Sequence, residues 1–506
     1  MWGDPLLSLI VFLPALVAVA LSAVPARAGT RVFAGAWVAT GLVQLGLVAV
    51  VWAGLPATGY GRVERLAWIP SAGISYHLGV DGLSLPLLAL TAVLFTATAV
   101  YTLRGIARPK GFVLLFLALQ AVSAGLFVAL DLILFFLFFD LSIVFMYFVI
   151  AGWGTGAPAR RAALTFFLYT FLGSLALLLG FILLALAGPQ VTFDIPALAA
   201  QNPLAGGGGY AGLTLLVIGI GLAVKTPLFP FHTWLPPAHT EAPAAGSAIL
   251  AGILLKMGTY GFVRIAMPLL PASWRQFALV AVVAGVVSVL WGALVALAQT
   301  DLKRMIAYTS VNHMGYVLLG LGAAGLVAGS GEQARTLATA GATYQMVSHG
   351  LITAALFLLA GSLHDRGRTY DMTAYGGLAT RTPRFAGLFA VAAFASLGLP
   401  GFSGFIAEFQ IFTGALGAVP VATVIAVTGV LLTAALFLLA MGRMLPGEVR
   451  VPDAPGTPRP FPDLGVRELL AIVPLLVLAT VLGLLPRALL DVIEPAAATV
   501  NDLVAR

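Results

Sequence analysis

The chain has 506 residues, 60% of them hydrophobic and only 9% charged, with a mean hydropathy of +1.04. Soluble domains carry about a quarter charged residues, so these values exclude an ordinary soluble fold and describe a polytopic membrane protein. The chain has no cysteine, which excludes thiolate metal sites, cysteine-ligated iron-sulfur clusters and disulfides within it, and its net charge of +7 is spread over short loops, which suits membrane topology better than nucleic-acid binding.

Apolar runs of about 20 residues, each able to cross a hydrocarbon core of about 30 Å, recur from the first residues to near Leu485. About fourteen spans are predicted, at 5–24, 32–54, 82–103, 111–130, 132–151, 162–187, 211–235, 243–267, 276–298, 303–327, 340–362, 384–416, 420–441 and 467–486. The segment from Met1 to Val24 lacks a basic leader and runs straight into further spans, so it reads as the first transmembrane helix and not as a cleaved signal. The connection 55–81, with Trp68, Pro70 and Tyr76, reads as an interfacial excursion. Segment 443–466 reads as a stiff extramembrane linker, because Pro446, Pro452, Pro455, Pro458, Pro460 and Pro462 block a helix.

Basic residues orient this layout, since cytoplasmic loops carry the excess of Lys and Arg. Loops after odd-numbered spans hold seventeen: Arg27, Arg31, Arg104, Arg108, Lys110, Arg160, Arg161, Lys303, Arg304, Arg366, Arg368, Arg381, Arg384, Arg443, Arg450, Arg459 and Arg467. Loops after even-numbered spans, with the C-terminal tail, hold seven: Arg62, Arg65, Arg264, Arg275, Arg335, Arg487 and Arg506. The expectation is therefore that odd loops face the cytoplasm and both termini the opposite side. The remaining two basic residues are Lys225 and Lys256, inside spans.

The seventh span breaks at Lys225-Thr-Pro-Leu-Phe-Pro230, and the twelfth at Leu399-Pro-Gly-Phe-Ser-Gly404 with Glu408 just beyond. An offset of five spans inverts orientation, and inverted repeats whose discontinuous helices meet near the midplane are a recurrent transporter design.

Only four lysines occur, Lys110, Lys225, Lys256 and Lys303, against twenty-two arginines. Arginine stays protonated under almost any condition, whereas a desolvated lysine releases its proton near neutrality, so intramembrane lysines point to proton transfer. The plainer alternative is snorkelling from a helix end, which fits Lys225, beside Pro227, better than Lys256. Asp140 has no basic neighbour in sequence, so it is either protonated and packed or paired with a cation from another helix, for which Lys225 is the natural candidate. Asp131 reads as a helix N-cap. His313 and His349 fall in the tenth and eleventh spans. A lone buried histidine is usually a packed core residue, but two of them between an intramembrane Lys and Glu408 make a coherent water-assisted relay, Lys256 to His313 to His349 to Glu408. Glu408, beside unwound backbone, is either the exit group or a helix cap. His232, His239 and Glu241 have no compelling metal-ligand pattern and read as turn-locking residues. Asp301-Leu-Lys303-Arg304 reads as a mixed-charge turn. No phosphate-cradling glycine loop, dinucleotide fingerprint or nucleophile elbow is present, and Gly206 to Gly209 form a flexible loop.

The run FPFHTWLPPAHTEAPAAGSAILAGILLKMGTYGFVR, Phe229 to Arg264, resembles the signature of the proton-conducting M subunit (chain 4) family of bacterial respiratory complex I. In the same order follow or precede it YHLGVDGLSLPLL (Tyr76 to Leu88), AVKTPLFPFHTWLP (Ala223 to Pro236), LKRMIAYTSVNHMGYVLLG (Leu302 to Gly320), SHGLITAALFLLAG (Ser348 to Gly361) and LGLPGFSGFIAEF (Leu397 to Phe409). The sister L and N subunits share the lysine-bearing helix but not AHTEAP.

The resemblance implies an all-α polytopic fold of about fourteen helices with two inverted five-helix repeats and discontinuous helices 7 and 12. Its segments would be 1–110 (helices 1 to 3), 111–268 (first repeat), 269–441 (second repeat) and 442–506 (linker and last helix). It also implies a carboxylate-lysine pair on Asp140 and Lys225, followed by a relay of Lys256, His313, His349 and Glu408. Flavin and iron-sulfur clusters are expected in partner subunits, with no cofactor or metal in this chain. The expected partners are the other membrane subunits, including L and N, in a hetero-oligomer of the bacterial inner membrane. The family places Glu where Asp140 stands, so the carboxylate is one methylene shorter and a bridging water is expected between it and Lys225. Rival readings are a subunit of a cation/proton antiporter or membrane-bound hydrogenase of the same fold, and a passive scaffold whose polar residues glue helices together.

Overall fold

The computed structural model describes residues 5–103, 105–155, 158–329, 331–452 and 461–506. Arg104, Arg459 and the linker prolines Pro455, Pro458 and Pro460 lie outside the described residues.

Among the described residues, eleven helices are long and apolar enough to cross a membrane: Thr30–Ala53, Ser84–Tyr101, Pro109–Val128, Leu132–Trp153, Pro158–Leu186, Gly208–Lys225, Ala244–Leu269, Pro271–Leu297, Glu332–Gly367, Pro420–Met444 and Val466–Leu484. Leu6–Ser22 and Pro383–Ser396 are shorter apolar helices. Leu302–Gly325, at 24 residues, is as long as Thr30–Ala53 but carries Lys303, Arg304, Asn312 and His313.

Side-chain patterning sorts these helices into a rim and a centre. Pro158–Leu186 turns Leu164, Leu168, Leu172, Leu175 and Leu179 outward at helical spacing and Phe166, Gly173, Ser174 and Phe181 inward. A helix with such an apolar outer stripe meets lipid. Ala244–Leu269 and Glu332–Gly367 are buried throughout their apolar windows and form the centre. Lipid gives helices no hydrophobic reason to associate, so close backbone contact supplies the attraction. At Gly315, for example, an added Cβ would lie 2.6 Å from the Gly285 carbonyl and 2.7 Å from the Val289 nitrogen, which locks Leu302–Gly325 against Pro271–Leu297.

Both helix breaks foreseen in the sequence are present. Gly208–Lys225 ends at Lys225 and helix resumes at Leu235–Glu241, while Pro383–Ser396 is separated from Ser403–Leu416 by residues 397–402. Proline cannot donate to a helix ladder, and Pro227 and Pro230 sit in the first break, Pro400 in the second. Asp131 caps Leu132–Trp153, accepting from the Ile133 and Leu134 nitrogens at 2.9 and 3.2 Å.

Four features differ from the sequence expectation. Connection 55–81 is a β-hairpin, Gly61–Ile69 antiparallel to Ile74–Val80, with Arg65 opposite His77. Two strands alone are marginal, so docking must hold them. Glu64 accepts from the Leu7 and Ser8 nitrogens at 2.7 and 3.1 Å, and Asp131 accepts from the Ser75 nitrogen at 2.9 Å. The tail beyond the last predicted span forms a helix, Arg487–Ala505, that buries Leu489, Leu490, Ile493, Ala497, Val500 and Val504. The eleventh span is longer than expected, Glu332–Gly367, and takes up Arg335 as a buried helical residue. Finally, Arg264 and Lys303, assigned to loops, are buried within helices, because each finds partners there that a loop position would not give it.

Candidate functional site: a buried line of titratable groups

Lys225 is the last residue of its helix, where unpaired carbonyls favour a cation. Its Nζ donates to Ser142 Oγ at 2.9 Å and lies 4.7 Å from the centre of the Phe139 ring. Asp140 Oδ1 accepts from Ser174 Oγ at 2.8 Å. Among the described residues, Asp140 and Lys225 form no direct ion pair. Each is instead held by a serine, Ser174 and Ser142, two groups that sequence reasoning missed.

Lys256 lies at the centre of Ala244–Leu269 with no exposed surface. The turn before it, Leu250–Leu254, is π-helical, and the Leu255 nitrogen donates to the Leu250 carbonyl. This shift of one residue relieves the Ala251 carbonyl, which accepts from Lys256 Nζ at 2.5 Å. On its other side Lys256 Nζ shares a 2.6 Å hydrogen bond with His349 Nδ1. The His349 ring meets the His313 ring edge to face at 5.3 Å between centroids. His313 Nε2 lies 3.4 Å from Ser396 Oγ, while His313 Nδ1 and His349 Nε2 have no protein partner.

Buried polar atoms without protein partners call for water. A narrow cavity lies beside them, lined among others by His313, His349, Gln345, Ser348, Ser396 and Glu408. The space open to water centres is about 10 Å³, on the order of one molecule. Glu408 lines the same cavity, from Ser403–Leu416 just past the second break. Gly398, at φ +79°, lets the broken backbone turn, and a Cβ there would fall 2.6 Å from Glu408 Oε2. Lys256, His349 and His313 thus follow one another in contact, with His349 and not His313 next to Lys256, and both histidines share a cavity with Glu408.

With this geometry in hand, comparison places the chain. Residues 129–433 match the family model described as NADH:quinone oxidoreductase/Mrp antiporter, TM. The chain is 39% identical to the NADH-quinone oxidoreductase subunit M of Rhodobacter capsulatus, over 97% of this chain and 96% of that one. The chain belongs to the NADH:quinone oxidoreductase/Mrp antiporter membrane family. It is also 37% identical to an NAD(P)H-quinone oxidoreductase chain 4 of Picosynechococcus sp., covering 96% of this chain and 89% of that one. Among solved structures of the family, a chain of respiratory complex I from Thermus thermophilus superposes with a TM-score of 0.84 at 30% identity, covering 98% of this chain and 99% of that one. A chain of the Mrp complex from Dietzia sp. shares the fold, with a TM-score of 0.85 at 24% identity, covering 98% and 97%.

This family member buries more charge than its sequence announces. Lys303 is fully buried, donates to the Ala242 carbonyl and lies 4.9 Å from the centre of the Tyr370 ring. Its signal was the scarcity of lysine, which singles it out just as it does Lys225 and Lys256. His239 is buried against Phe357, with ring centroids 4.5 Å apart, and neither ring nitrogen has a protein partner. His232 accepts from Trp291 Nε1 at 3.0 Å and stacks on Phe229, which holds the first break in shape.

Proposed function

We propose that this chain is a proton-translocating membrane subunit of an NADH:quinone oxidoreductase, of the M (chain 4) type. Quinone reduction in other subunits drives a relay through Asp140, Lys225, Lys256, His349, His313 and Glu408. The observation that carries this reading is the hydrogen bond from Lys256 to His349, the ring contact from His349 to His313, and the cavity that both histidines, each with an unpartnered nitrogen, share with Glu408.

A disturbance arriving from a neighbouring subunit changes the separation of Asp140 and Lys225. Because Ser142 holds Lys225 and Ser174 holds Asp140, small helix shifts are enough to pair or part the charges. A charged Lys225 disfavours a second ammonium, so its state biases whether Lys256 keeps its proton. Lys256 passes a proton from Nζ to His349 Nδ1, and His349 releases one from Nε2 to water in the cavity. His313 and that water hand it to Glu408, which gives it up at the second break. Once Lys256 is recharged each group carries its starting number of protons, and the His349 proton must shift from Nδ1 back to Nε2 before the next transfer.

In this reading the two helix breaks belong to inverted five-helix repeats, 111–268 and 269–441, after N-terminal helices 1–110 and before the linker and last helix, 442–506. Both termini lie on the non-cytoplasmic side of the bacterial inner membrane. The sister subunits L and N are the expected neighbours, and the flavin and iron-sulfur clusters reside in other subunits. A cation/proton antiporter of the same fold would have to pass a hydrated ion, and a cavity for about one water beside Glu408 favours protons.

Replacing Lys225 or Glu408 with Ala in the reconstituted complex is expected to reduce proton pumping sharply. Wild-type pumping in both variants would refute the relay. Lowered stability with unaltered flux after neutralising Asp140, Lys225 and Lys256 would establish the passive scaffold instead.

A further inference from the structure

Arg264 lies two helical turns beyond Lys256 on the same helix, about 12 Å along the axis. Lys256, Tyr260 and Arg264 follow each other at intervals of four, which places them along one face. All three are buried. Each of the three nitrogens of the Arg264 guanidinium has a hydrogen-bond partner. Nη2 donates to Asp81 Oδ1 at 2.5 Å, Nη1 to Tyr60 Oη at 3.0 Å and Nε to Tyr260 Oη at 2.9 Å. The rings of Tyr60 and Tyr260 lie 5.4 and 5.3 Å from it.

A cavity with about 300 Å³ open to water centres runs up to this cluster from the face that carries the hairpin and Arg506. Its mouth includes the exposed turn Pro56 to Gly59, and its walls include Tyr60, Asp81, Arg264 and Val492. Water can therefore reach Arg264 from that face. Lys256 lies beyond, on the other side of Tyr260.

We propose that Arg264, with Asp81, Tyr60 and Tyr260, is a proton seal that ends this water-accessible path before it reaches Lys256. The inference rests on the proposed relay through Lys256. Three properties make the cluster a barrier. A guanidinium keeps its proton, so it cannot take part in a relay. The single proton of the Tyr260 hydroxyl is donated to the Phe127 carbonyl at 3.1 Å, and its oxygen already accepts from Arg264. A carbonyl has no proton to pass on, so the hydrogen-bonded chain stops there. Asp81 is tied down by the Leu83 and Ser84 nitrogens, both at 3.0 Å, as well as by Arg264. Nothing in the cluster resembles the unpartnered ring nitrogens beside Lys256.

The test is passive proton leak through the assembled complex in proteoliposomes, measured with an internal pH dye after an imposed pH step and without NADH. Arg264→Met is expected to raise the leak severalfold, and adding Lys256→Met is expected to return it to the wild-type level. An assembled Arg264→Met complex as tight as wild type would overturn the seal, as would a leak indifferent to Lys256. Should Arg264→Met fail to assemble, Arg264→Lys decides. Its ammonium sheds a proton where guanidinium does not, so its leak should grow as pH rises. The charged or titratable groups around it are Asp81, Tyr60 and Tyr260, with Asp194 beyond Tyr60 and Arg506 on the cavity wall. A complex tight at every pH overturns the proposal. Pumping by Lys256→Met, measured in parallel, separates the two claims: its survival defeats the relay, whereas its loss beside a tight Arg264→Met complex defeats the seal alone.

Discussion

Lys256 and Arg264 are buried cations two turns apart on one helix, yet their surroundings are opposite. Lys256 touches one carbonyl and one histidine, and the groups next in line have ring nitrogens without protein partners beside a water-sized space. Arg264 has a carboxylate, two hydroxyls and two aromatic rings, with Asp81 and Tyr260 held in turn by backbone groups. The lesson is that mobility of a proton needs unfinished hydrogen bonding, and a barrier needs finished hydrogen bonding. Burial of charge is common to both.

Several changes would break or sharpen that contrast. The largest effect is expected from Glu408→Gln, which keeps shape and removes the terminal acid. Loss of a positioned acid-base group lowers rates by about 10²-fold, so pumping by this subunit should fall on that scale while the complex remains assembled. Pumping is read as protons released per NADH oxidised.

Gly398→Ala comes next. Its added Cβ would crowd Glu408 Oε2 and a side chain would sit at φ +79°, a conformation costing on the order of 1–3 kcal/mol. Both lower apparent Tm and slower pumping are expected, whereas alanine at Gly417, which meets nothing within 4 Å, should change neither.

Asp140→Glu should act more mildly and in the opposite direction. The longer carboxylate brings charge closer to Lys225, and a change of pumping within about threefold is expected, since an effect below roughly 0.7 kcal/mol is all that a modest shift in one partly buried pair supplies. Ser142→Ala in the same background should reduce the difference, because Ser142 fixes the lysine end.

The smallest expected effect lies outside the membrane, at the hairpin. Burial alone would raise the Asp194 carboxyl, but the hydrogen bond from His77 and the nearby Arg65 outweigh it and hold the group below its ordinary value. A lowered acid stabilises the fold above its unfolded-state pKa of about 3.9, and that contribution is lost as pH falls through the folded value. Thermal unfolding of wild type should therefore lose stability more steeply below about pH 4 than that of Asp194→Asn, which starts lower and titrates less.

Much of this was legible in the sequence because membrane crossing demands long apolar runs. The helices, both breaks and the Asp131 cap follow from apolar length, proline and helix-capping chemistry. Lys256, His313, His349 and Glu408 stood out because titratable groups are rare in such runs. What the sequence concealed depended on partners distant along the chain. Arg264 and Lys303 sit close enough to predicted span ends to pass for loop residues, and partners distant in sequence explain their burial, Asp81 and Tyr60 for Arg264, the Ala242 carbonyl and the Tyr370 ring for Lys303. The hairpin is a short two-stranded unit whose stability comes from Glu64, Asp131 and Asp194 contacts that no local pattern reveals. The serines that hold Asp140 and Lys225 apart are ordinary residues until helices are packed. The Arg487–Ala505 helix was legible after all, in the spacing of Leu489, Ile493, Ala497, Val500 and Val504.

The most direct test of the account is proton pumping by the assembled complex carrying Lys256→Met, reconstituted in sealed vesicles, with NADH oxidation followed alongside proton release. Methionine keeps the length and the apolar packing and removes the transferable proton. The account predicts fewer protons released per NADH oxidised than in wild type, with the complex assembled; an unchanged ratio would contradict it.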